Sequence, residues 1–172
     1  EEGGSKVGNL YVARVKAIMG ETNAAVRDLG TDGEALLPFN KARALAPQRG
    51  ARSIRHCVVE GAFHLVEIIR DRDVEDDKLP VASARAGLHG RYVRVEANGT
   101  GHSFIQKYKD KEWMEELSAI AEAFASKMSI SIKPAAFEAD EEMFVAELES
   151  LATALMDLKQ DMSKPGLAVE QA

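Results

Sequence analysis

The chain has 172 residues, 45% of them hydrophobic, and a net charge of −6 from 22 Lys+Arg against 28 Asp+Glu. That length buries one core of ordinary size or two small ones. It holds no apolar run long enough to span a bilayer, and no stretch with the basic start and apolar middle of a signal peptide. Its single cysteine, Cys57, excludes an internal disulfide and suits a reducing, cytoplasmic setting. The chain starts at Glu1 rather than a methionine, so we read it as a segment of something longer.

Residues 7–15 and 24–30 read as strands, with β-branched and aromatic residues alternating with polar ones and Gly20-Glu21-Thr22-Asn23 turning between them. A third strand follows at residues 34–38, after the Thr31-Asp32-Gly33 turn. Residues 39–51 form an irregular basic stretch holding Lys41, Arg43, Arg49, Pro47 and Gly50, which reads as a loop with one helical turn. Arg52 and Arg55 continue its charge. Residues 54–59 are a short element of open type, ended by Gly61. Residues 63–69 are the best buried strand, and residues 79–84 close a five-strand set across an acidic tip at 71–77. Five short strands with a long connection between the third and fourth predict an antiparallel barrel of OB type over residues 7–86, whose face binds single-stranded nucleic acid.

From Gly90 the pattern changes. Residues 91–95 alternate as a strand and residues 98–101 read as a loop. From Asp110 onward, Met114, Leu117, Ala121, Phe124 and Met128 make one apolar helical stripe. Residues 128–133 are a strand that Pro134 terminates. The last helix carries Phe144, Leu148, Leu151, Leu155, Leu158 and Met162 on one face, with Asp140 as N-cap and Pro165-Gly166 as its stop. Strand, helix, strand, helix is an α/β layer, so the whole is of α+β class.

Charge is distributed unevenly. Residues 6–95 hold 15 Lys+Arg and 11 Asp+Glu, whereas residues 96–172 hold 7 and 15, and all eleven arginines precede residue 95. A basic first half is the electrostatic footprint of a phosphate-binding module.

The run Gly8-Asn9-Leu10-Tyr11-Val12-Ala13-Arg14-Val15, then Ala24-Ala25-Val26-Arg27-Asp28-Leu29-Gly30, resembles the start of the S1-type RNA-binding barrel of the RNase E/G endoribonuclease family. Leu88-His89-Gly90-Arg91-Tyr92-Val93, Thr100-Gly101-His102-Ser103-Phe104-Ile105 and Lys127 to Pro134 are similar to that family's next three segments. The resemblance covers roughly residues 7–162 and implies that residues 88–164 are part of an RNase H-like layer with a 5′-monophosphate sensor and two amphipathic helices. It implies a cytoplasmic RNA-processing parent, single-stranded RNA as partner, no membrane, and self-association of the parent as an open question.

Several positions depart from the family. Val26 and Leu36 stand where it presents two stacking aromatics, and Phe104-Ile105 replaces its double arginine. Lys78 keeps a basic contact near the fifth strand, and Lys133-Pro134 replaces the Arg-Thr pair of the phosphate pocket. Lysine binds phosphate as a point charge without arginine's bidentate fork. The expected RNA-facing residues are thus Arg14, Arg27, Leu36, Lys41, Arg43 and Lys78, with Lys133 in a weakened 5′-phosphate pocket.

No catalytic set is recognisable. The family's Mg²⁺-binding aspartates and zinc-binding cysteines lie further along than this segment, so no cofactor is expected here. Asp71, Asp73, Glu75, Asp76 and Asp77 read as a solvated hairpin tip, since a cation site needs convergent ligands. His64 reads as a surface or rim residue and Cys57 as a quiet buried thiol. Two further readings stand beside the RNA-binding one: a non-catalytic relative whose barrel serves protein or regulatory contacts, and an unrelated α+β protein.

Overall fold

In the computed structural model, which describes residues 4–47 and 49–171, alternation along the first segment becomes a closed barrel. Its strands are β1 (Leu10–Met19), β2 (Ala24–Asp28), β3 (Glu34–Pro38), β4 (Phe63–Arg70) and β5 (Val81–Ser83). They hydrogen-bond in the ring order β1-β2-β3-β5-β4, with β4 closing on β1. The barrel is mixed rather than wholly antiparallel, because β3 and β5 run parallel. The reason is parity: an odd ring of five strands cannot alternate direction all the way round, so one neighbouring pair must agree.

Two apolar clusters fill the interior. One gathers Tyr11, Ala13, Leu29, Ala35, Val66, Ile68 and Ala82. The other gathers Val15, Ala25, Leu37, Ala42, Ile54, Cys57 and Val58. Ile54 begins the one-turn helix Ile54–His56 and is fully buried, so the element left open by the sequence contributes directly to this core. Cys57 is a buried thiol, and desolvation pushes its pKa up.

The connection from β3 to β4 is irregular but pinned. It contains one-turn helices at Phe39–Lys41 and Arg43–Leu45. The Phe39 amide donates to the Asn23 carbonyl at 2.9 Å, and the Ala84 amide donates to the Lys41 carbonyl at 2.8 Å. The Ile54 amide donates to Asn23 Oδ1 at 2.7 Å. Asn23 holds both anchor points while adopting a left-handed backbone, φ 56°, which asparagine tolerates better than most residues. Asn23→Ala is expected to cost about 1–3 kcal/mol, from a lost buried acceptor and a strained φ. Asn23→Gly should recover the backbone part, and urea melts of the two variants measure the difference.

A strand absent from the sequence-based expectation completes this unit. Residues Gly166–Val169 form β10, which pairs antiparallel with the start of β1: Leu10 opposite Val169, Tyr11 opposite Leu167, Val12 opposite Gly166. The segment from Asp161 onward therefore belongs with the barrel rather than with the preceding helix. Gly30, at φ +85°, lies where an added Cβ would meet the Pro165 carbonyl oxygen at 2.7 Å, so only glycine permits this approach.

The second unit, Gly87–Gln160, is a four-stranded sheet with two helices. Its strands are β6 (Gly87–His89), β7 (Val93–Glu96), β8 (Gly101–Phe104) and β9 (Ser129–Ile132), in the order β6-β7-β9-β8 with β8 parallel to β9. β8 starts at Gly101, the last residue of the expected 98–101 loop, and continues through residues for which no strand was expected. Helix α1 spans Lys111–Glu122, capped by Asp110, whose carboxylate accepts from the Trp113 amide. It ends before Phe124 and Met128, so the expected stripe stops at Ala121, and Met128 is buried just ahead of β9. Helix α2 spans Glu141–Leu158 and buries Phe144, Leu148, Ala152 and Leu155. Asp140 caps it as expected, Oδ1 accepting from the Met143 amide at 2.9 Å. Met162 lies beyond its end.

α2 also fixes the turn between β6 and β7. The Glu147 carboxylate accepts from three successive backbone amides: Arg91 at 2.8 Å, Tyr92 at 2.7 Å and Val93 at 3.0 Å. Gly90 makes room for it, since a Cβ there would sit 2.3 Å from Glu147 Oε2.

Candidate nucleic-acid interface

Strand register decides which side chains the barrel presents outward. Arg14, Asp28 and Glu34 share one row across β1, β2 and β3, and Ala17, Val26 and Leu36 share another. Arg14 is exposed, whereas Val26 and Leu36 are half-buried. Lys16, at the bulge in β1 beside this row, forms an ion pair with Glu34 and so partly neutralises it. The outer face of the first three strands is therefore an aliphatic strip beside a row of mixed sign.

Past the end of β3 the electrostatics change. Residues 35–59 contain Lys41, Arg43, Arg49, Arg52 and Arg55 and not one Asp or Glu. All five cations are exposed, and none has an ion-pair partner among the described residues. Elsewhere in the barrel unit Lys6, Lys16 and Arg72 are each paired with a carboxylate. Arg55 reaches back to the β1–β2 turn: a Cβ on Gly20 would meet its Nη2 at 3.2 Å. The Arg43 guanidinium lies over the Phe39 ring, 4.5 Å from the centroid. The aromatic at this site is thus Phe39, three residues beyond Leu36, and the Phe39–Arg43 spacing of four was the signal available in the sequence.

Arg27 requires a correction. It was expected to face RNA, yet it is 0% exposed and points into the barrel. Register places it between Val15 and Ala35, and the small side chains of Ala13, Ala25 and Ala35 leave room for it. One nitrogen, Nη2, donates to the Ala13 carbonyl at 2.7 Å and lies 3.0 Å from His64 Nδ1. Nε and Nη1 are buried with no hydrogen-bond partner among the described residues. Burial pulls the Arg27 pKa down to about 10. His64 is corrected with it: it shares its face of β4 with the buried Val66 and Ile68, and is half-buried. Desolvation first, and the Arg27 charge second, lower its pKa to about 4, so it is neutral near pH 7.

Lys78 is exposed at the base of the acidic hairpin, bridged to Asp73 by paired backbone bonds of 3.0 and 3.1 Å. The hairpin carboxylates are exposed, and Asp77 is bound by Arg72 at 2.8 Å. Lys133 belongs to the second unit, where its ammonium donates to the Gly90 carbonyl at 2.8 Å and Pro134 begins a short helical turn. The structure thus brings Leu36, Lys41 and Arg43 onto one continuous stretch and puts Arg14 and Lys78 elsewhere on the same barrel unit, whereas Lys133 belongs to the other unit. No helix among the described residues is long and apolar enough to cross a membrane.

Against known protein families and curated proteins the chain gives no match.

Proposed function

We propose that the barrel is an OB-type, S1-like module that binds single-stranded RNA, and that it serves substrate recognition in an RNase E/G-like endoribonuclease whose cleavage site lies outside this segment. The observation that carries the reading is the acid-free stretch 35–59, whose five exposed cations lack carboxylate partners among the described residues, beside the barrel's outer strands. A carboxylate-free cationic loop gains most from a polyanion, because each phosphate it meets releases a condensed counterion. The motifs at residues 8–15, 24–30 and 88–93 support the family assignment and, with it, an RNase H-like reading of the second unit and a cytoplasmic setting. The aliphatic row Ala17–Val26–Leu36 favours the second reading, in which the barrel's outer face docks protein instead.

The test is a titration of labelled single-stranded RNA across salt. With four or five phosphate contacts, log affinity should fall with log salt at a slope of about −3, a loss of roughly 50-fold between 50 and 200 mM. Replacing Lys41, Arg43, Arg52 and Arg55 by alanine should flatten that slope by about 0.7 per residue. Replacing Lys107, Lys109 and Lys111 in the second unit should leave it unchanged. A larger effect from the second set would move the interface off the barrel.

A further inference from the structure

We infer that Arg43, laid on Phe39, is a base-stacking platform that orients a nucleobase above the β3–β4 connection. The inference rests on the RNA reading above and adds a specific contact to it. Phe39 is half-buried, packed against the core cluster that contains Leu37, Ala42 and Ile54, so its ring is anchored from below. Its backbone is fixed by the amide bond to Asn23, and the next turn by Ala42, which is fully buried and donates to the Phe39 carbonyl at 3.0 Å. Arg43 follows at a helical spacing of four, with its guanidinium carbon 4.5 Å from the ring centroid. The guanidinium carbon thus sits over the ring at cation–π distance. Arg43 is exposed.

A guanidinium held over a ring offers a planar, π-like surface with a charge. It stacks on a base as an aromatic does, and it attracts the flanking phosphates as well. Lys41, exposed on the preceding turn and without an ion-pair partner among the described residues, supplies a second phosphate contact within a nucleotide's reach. Lysine at position 43 would keep the charge and lose the plane. That difference separates stacking from simple attraction. The aliphatic residues Val26 and Leu36 then no longer imply a face without stacking, because the stacking group has moved from the strands to the connection that follows β3.

The experiment uses the full chain and two probes: a single-stranded RNA of about eight nucleotides carrying one 2-aminopurine, and an abasic phosphodiester of the same length. Arg43→Lys is expected to weaken RNA binding about fivefold or more, abolish 2-aminopurine quenching, and leave both the salt slope and abasic binding as in the wild type. Phe39→Leu, checked for an unchanged thermal midpoint, should produce an intermediate loss by removing the support under the guanidinium. If Arg43→Lys binds RNA as tightly as the wild type, or loses affinity equally for both probes, the platform is refuted while the RNA reading stands. If the wild type binds neither probe at low salt, both are refuted.

Discussion

Arg27→Met should make the barrel more stable, by about 1–2 kcal/mol in urea unfolding. A charged group in the interior is tolerable when a carboxylate and a full set of acceptors surround it. Arg27 has one carbonyl, one imidazole and two orphaned nitrogens, and the groups in register with it are Val15 and Ala35. Methionine fills similar space without the desolvation cost, and the loss of the bond to the Ala13 carbonyl offsets only part of that gain. The same pair sets an acid limit. His64 titrates at about 4 in the folded chain against 6.5 when unfolded. Between those values the unfolded chain binds the proton first, so the contribution is complete above pH 6.5 and declines as pH falls toward 4, by up to about 3 kcal/mol. His64→Gln keeps an acceptor for Arg27 and should remove that component, leaving the carboxylate titrations as in the wild type. A His64→Gln profile parallel to the wild type between pH 4.5 and 6.5 would show that the imidazole is not protonated on unfolding.

Glu147→Ala should be the most damaging single substitution in the second unit, costing about 2–4 kcal/mol. Three backbone amides in a row depend on its carboxylate, and each loses a charge-assisted bond, those of Tyr92 and Val93 with only partial access to water. Glu147→Gln retains one acceptor oxygen and should cost clearly less. Gly90→Ala, which drives a methyl into the same carboxylate, should resemble the alanine variant. Hydrogen exchange at Arg91, Tyr92 and Val93 reads the loss directly, with protection falling at those amides before the rest of the sheet.

Local patterns made much of the fold legible. β1 and β4 are β-branched and aromatic runs bounded by turn signals, and α2 has both a clean stripe and an aspartate cap, so their positions follow from strand composition, periodicity and capping chemistry. That one neighbouring pair runs parallel could have been deduced from the five-strand count once closure was assumed, but not that the pair is β3 with β5. β8 and β10 could not. Gly101-His102-Ser103-Phe104 contains no β-branched residue, and Gly166-Leu167-Ala168-Val169 follows a helix stop and finds its partner more than 150 positions away. Arg27 was misplaced because Ala24 and Ala25 are equally small, so the run Ala-Ala-Val-Arg-Asp does not reveal which parity faces inward. Of the candidate interface, the charge was visible in the sequence as a carboxylate-free stretch, whereas the stacking of Arg43 on Phe39 depends on two consecutive helical turns after a strand that ends in proline.

The pairing of β10 with the opening of β1 gives the barrel a birth order. Five strands are complete once Ser83 has been made, but the edge of β1 at Leu10–Val12 waits for Gly166–Val169. At ordinary translation speeds of ~5–20 residues per second, the intervening stretch takes ~4–17 s to emerge. During that interval the nascent chain carries an unpaired apolar edge, the kind of surface on which strands of other chains add. The whole second unit is therefore synthesised while the first is still unsealed. A ribosome stalled within α2 would display a barrel that is closed as a ring and yet open along one margin to a chaperone or to a neighbouring copy.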